Sequence, residues 1–74
     1  MEQNMFETCV KQLVKVTLTN QPVTMEFHGG SLFVSTITED QARSVFHALS
    51  KSLGLGKVEI HPIGTTGEFA YDFV

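Results

Sequence analysis

The sequence predicts an α+β fold, a mostly antiparallel five-stranded sheet with one main helix on one face, in the order (α)βββαββ. Three observations predict it. Thr38 can accept a hydrogen bond from the amide of Gln41 while the Gln41 side chain reaches back to the Thr38 amide, a capping box that starts a helix. Beyond the cap, Ala42, Val45, Phe46, Leu49 and Leu53 recur at helical spacing, and Gly54 is expected to supply a left-handed stop. On both sides of this helix the apolar residues alternate with polar ones, the period of strands.

The elements follow in chain order. Met5, Phe6, Cys9, Val10 and Leu13 fall on one helical stripe, so residues 4–12 read as a short helix or as an irregular arm. Residues 13–19 alternate, with Val14, Val16 and Leu18 facing one way, and predict a first strand. Asn20, Gln21 and Pro22 make a turn. Val23, Met25 and Phe27 alternate with Thr24, Glu26 and His28 in a second strand, which Gly29 and Gly30 join to a third by a tight hairpin. That third strand, residues 31–37, carries Phe33 and Ile37 on one face and Leu32 and Val34 on the other. After the helix, residues 57–63 are a fourth strand, 64–67 a hairpin loop and 68–74 a fifth strand. In the last strand Phe69, Tyr71 and Phe73 project from one face, expected to lie under Phe46 and Leu49.

Seventy-four residues make one domain, near the lower limit at which a core alone holds a fold. A lone Cys9 gives no internal disulfide and reads as a small buried hydrophobe; no cysteine–histidine cluster has zinc spacing. The formal charge of −3 argues against non-specific nucleic-acid binding, and the acids are too dilute to imitate a phosphate backbone. No apolar run can span a bilayer, and the first residues lack the pattern of a signal peptide. With an unpaired cysteine, this places the chain in the cytoplasm.

Catalytic candidates are weak. Cys9 with His28, His47 or His61 has no spacing that builds a dyad, and a metal site from His28 and His61 has no supporting motif. Gly54 to Lys57 lacks the spacing of a phosphate loop and follows a helix instead of opening one. The expectation is therefore no catalytic residue, no metal and no cofactor. Binding candidates are clearer. Arg43, His47 and Lys51 make a cationic stripe on the helix, and Phe69, Tyr71 and Phe73 an aromatic stripe on a strand able to pair at a sheet edge. Leu32 and Val34 lie on a sheet face that one helix cannot cover. That uncovered face calls for the N-terminal segment, a second copy in a homodimer, or a protein partner.

In size, mild acidity and lack of catalytic motifs the chain is similar to small accessory proteins of phages and mobile elements, including inhibitors of bacterial defence complexes such as anti-CRISPRs. The likeness covers composition and coarse topology, and implies a non-enzymatic protein that binds, and inhibits or adapts, a larger macromolecular complex. The alternative is a small nucleic-acid-binding regulator using Lys11, Lys15, Arg43 and Lys51.

Overall fold

A computed structural model of the chain describes residues 2–19, 21–54, 56–64 and 67–74, with side chains from Met5 onward. Asn20 of the expected turn, Leu55 of the loop after the helix, and Thr65 and Thr66 of the second hairpin lie outside the described residues. The elements are α1 (Glu2–Thr17), β1 (Thr24–His28), β2 (Ser31–Ser35), α2 (Glu39–Leu53), β3 (Val58–Ile63) and β4 (Glu68–Phe73). They form an α+β fold with one antiparallel sheet of four strands, ordered β1-β2-β4-β3, and two helices.

The expected first strand is not there. Residues 13–17 continue α1, because Val10, Val14 and Leu18 are spaced as one helical stripe and that stripe is buried. Val16, which alternation placed with them, is 65% exposed. The β-branched residues Val10, Val14, Val16 and Thr17 have weak helix propensity, but tertiary burial outweighs a few tenths of a kcal/mol per residue. Thr19, with φ 56°, ends the segment in the left-handed region that glycine usually fills.

The second helix starts as its sequence demands. Gln41 N donates to Thr38 Oγ1 at 3.1 Å and Thr38 N to Gln41 Oε1 at 3.0 Å, completing the capping box. Ile37 and Ala42, the two ends of the hydrophobic staple, are both buried. Gln41 also donates to Gln21 Oε1 at 2.6 Å, tying the α1–β1 connection to the first turn of α2. Gly54 ends the helix at φ 111° and ψ 146°, a glycine conformation outside the left-handed helical region expected for it.

Both helices pack on one face of the sheet. Val10, Val14 and Leu18 of α1 and Ala42, Val45 and Leu49 of α2 join Leu32, Val34, Val58 and Tyr71 in a single buried cluster. The N-terminal segment therefore lies beside α2 and leaves the other sheet face uncovered. The register aligns side chains in rows across the four strands. Phe27, Leu32, Tyr71 and Ile60 form one row on the covered face, and Met25, Val34, Phe69 and Pro62 the next. Tyr71 is fully buried, and its hydroxyl donates to the Ala42 carbonyl at 2.8 Å, fastening α2 to the middle of the sheet.

Three further expectations change. The strand last in sequence is interior, paired with β2 and β3, so β4 offers no free edge; β1 and β3 are the edges. Pro62 fits that arrangement, since proline lacks the N–H that an interior strand needs. Ile37 does not share a face with Phe33, because Thr36 at φ 69° breaks the alternation and turns Ile37 into the core. Cys9 is exposed on α1, not buried.

Candidate functional site

The sequence-derived binding residues divide into two groups. Leu32, Val34 and Tyr71 have no exposed surface, and Phe69 and Phe73 are half-buried beside them on the helix-covered face. Phe73 stacks with Phe27, and Phe6 of α1 meets both rings edge-on. All five residues belong to the packed side of the sheet, where Leu32, Val34 and Tyr71 have no surface to offer a partner and Phe69 and Phe73 keep part of theirs. Arg43, His47 and Lys51 are exposed on α2, as their spacing implies. Arg43 is held by Glu39 one turn earlier, at 3.4 Å. An exposed pair of this kind contributes a few tenths of a kcal/mol and leaves the stripe accessible.

The uncovered sheet face is where charge collects. Its rows are His28, Ser31, Asp72 and Glu59, then Glu26, Phe33, Ala70 and His61. Beyond them Glu68 pairs in register with Ile63 and accepts from Ser35 Oγ at 3.2 Å. Glu26, Glu59, Glu68 and Asp72 are four of the chain's eight acidic residues, and no strand contains Lys or Arg. Of the five cations, Lys11, Lys15, Arg43 and Lys51 belong to the helices, where Glu2, Glu7, Glu39 and Asp40 balance them, and Lys57 precedes β3. The net negative charge therefore resides on the strands, on an acidic sheet face. Half-buried Phe33 and Ile63 supply apolar area within that face.

Both histidines of the face contact carboxylates. His28 Nε2 lies 2.8 Å from Glu26 Oε1. His61 Nε2 lies 3.2 Å from Asp72 Oδ2 and 3.5 Å from Glu59 Oε1. His28 and His61 occupy opposite edge strands with two strands between them, so the two do not form a joint metal site. Cys9 is on α1, which packs on the other face of the sheet, and the contacts of His28 and His61 are with carboxylates of their own face.

A second feature is a cleft of about 520 Å³ between the start of α2 and the β3–β4 hairpin. Ile37, Ala42, Ile60, Pro62 and Phe69 give it apolar walls, with Glu39, Arg43 and Glu68 also lining it. It suits an apolar side chain better than a charged substrate.

The sequence singles out His28 and His61 but does not group them with the acids of the same face, because the apolar member of each alternating pair carries the strand signal. The signal was present in the polar members: Glu26 and His28, Glu59 and His61, Glu68 and Asp72 recur two or four residues apart within their strands. Comparison with models of protein families, with curated proteins and with solved structures finds no match to the chain. Among the described residues, no helix is long and apolar enough to cross a membrane.

Proposed function

We propose that this chain is a non-enzymatic, cytoplasmic protein-binding domain that docks on a larger macromolecular complex and inhibits or adapts it. The observation that carries this reading is the uncovered sheet face, acidic and with half-buried Phe33 on one of its two central strands. Such a face recognises a cationic protein surface, where complementary charge speeds encounter and apolar contacts supply residence. The apolar cleft beside α2 offers a pocket for an anchoring side chain from the same partner.

A homodimer through this face is less favoured, since a two-fold axis would set its four acidic residues against their own copies. The nucleic-acid reading has its cations on two separate helices, each of which carries two acidic residues as well. The test is cross-linking in cells that encode the protein, comparing wild type with Glu26→Lys/Glu68→Lys and with Arg43→Glu/Lys51→Glu. The proposal expects a protein partner that the sheet-face variant loses and the helix variant keeps. Loss only with the helix variant, or capture of nucleic acid, overturns it.

A further inference from the structure

We infer that Glu59, His61 and Asp72 form a binding site for one divalent first-row metal ion, with Zn²⁺ the best fit to the donor set. The three residues stand on adjacent strands, Glu59 and His61 two positions apart on β3 and Asp72 on β4. One ligand atom from each lies within 4.8 Å of the others. The 3.2 and 3.5 Å separations of His61 Nε2 from Asp72 Oδ2 and Glu59 Oε1 are those of neighbouring ligands on a shared ion, and the two carboxylates lie within 4.8 Å of each other, close enough for a side-chain rotation to complete the set. At metal–ligand distances of about 2.0–2.2 Å, neighbouring ligands of a tetrahedral or octahedral ion stand about 3.0–3.5 Å apart.

Two independent features point the same way. Glu59 and Asp72 are direct cross-strand partners, an arrangement in which like charges repel. With no Lys or Arg on any strand, a divalent cation answers both carboxylates where a single imidazole meets them only when protonated. Ser31, the register partner of Asp72 on the other side, donates its hydroxyl to Asp72 Oδ1 and leaves Oδ2 turned toward His61. An outer hydrogen bond that fixes a ligating carboxylate is the usual support of a metal site.

One imidazole nitrogen with two carboxylate oxygens favours Zn²⁺ over Ca²⁺ and Mg²⁺, which prefer all-oxygen shells. His61 and Glu59 are more than half exposed, so the ion keeps open positions for water or for a ligand brought by another molecule. The site rests on its own geometry and stands or falls separately from the docking reading.

The experiment is an NMR titration of the untagged full chain with Zn²⁺ alone, read at the histidine rings and backbone amides. The inference expects saturation at one equivalent, with shifts confined to His61 and to residues around 31, 59–61 and 72. His61→Ala and Asp72→Asn each weaken binding at least tenfold, and Ser31→Ala several-fold to tenfold, while His28→Ala and Cys9→Ser leave it unchanged. His61 is half exposed, so its alanine variant keeps the fold and the test interpretable if Asp72→Asn does not. Unsaturable shifts shared equally by His28, His47 and His61, or wild-type affinity in His61→Ala, overturn it.

Discussion

The row Phe27, Leu32, Tyr71, Ile60 and the row His28, Ser31, Asp72, Glu59 cross the same four strands one residue apart. In the first, Leu32 and Tyr71 have no exposed surface; in the second, His28 and Glu59 are exposed and Asp72 half-buried. The backbone hydrogen bonds beneath them are shared, so the difference lies in what each row meets: two helices on one side, solvent on the other. A sheet of this kind divides its residues by parity. Those of one parity hold the helices, and those of the other are free to carry charge and histidine, the surface on which the proposed docking rests.

That separation can be broken most forcefully at Tyr71. Tyr71→Ala empties the largest fully buried side chain and should cost about 3–5 kcal/mol, read as a lower urea midpoint at unchanged slope. Tyr71→Phe keeps the volume and removes only the bond to the Ala42 carbonyl, which retains its helical partner, so about 0.5–1.5 kcal/mol is expected.

The same residue sharpens the comparison through pH. Burial pushes the Tyr71 hydroxyl pKa well above its ordinary value near 10. The folded state then holds a proton that the unfolded state releases, so the contribution is fully present below pH of about 10 and is lost as pH rises beyond it. Wild-type stability should fall above that pH more steeply than that of Tyr71→Phe, by urea unfolding across an alkaline series. As the chain's single tyrosine, Tyr71 also reports its own ionisation by phenolate absorbance.

Thr38→Ala removes the cap that aims α2 at the covered face and should cost about 1 kcal/mol by the same measurement. The smallest effect belongs to the open face. Glu26→Gln and Glu68→Gln should each stay within about 0.5 kcal/mol of wild type, since both side chains are exposed. A loss above 2 kcal/mol at either position would mean that the open face also holds the fold.

The α2 cap and the Gly29–Gly30 hairpin were legible because their causes are local: a side chain bonding a nearby amide, and two glycines at φ 57° and 86°. The length of α1 was not. Val14, Val16 and Leu18 satisfy a period of two, and only the packing of Val10, Val14 and Leu18 against the sheet selects the helix. Nor did alternation say which parity is covered, because that depends on β2 meeting β4 with Leu32 opposite Tyr71, a pairing of residues 39 apart. The candidate site followed the same rule. The i, i+2 pair Glu59 and His61 was visible, but Asp72 joins it only through register.

The strand order β1-β2-β4-β3 reads alike from either edge, with each helix followed by a hairpin whose second strand is central. The chain thus divides into two helix–hairpin halves, and the peptide backbone passes between them once, near Thr36, which sits at φ 69°. Among the described residues, what else joins the halves is non-covalent: the β2–β4 seam, the contact between helices, and the bonds from Gln41 to Gln21, Ser31 to Asp72 and Ser35 to Glu68. The fold is therefore suited to fragment complementation. A chain severed at that crossing keeps every pairing of the sheet, and two separately made halves have the same seam along which to reassemble.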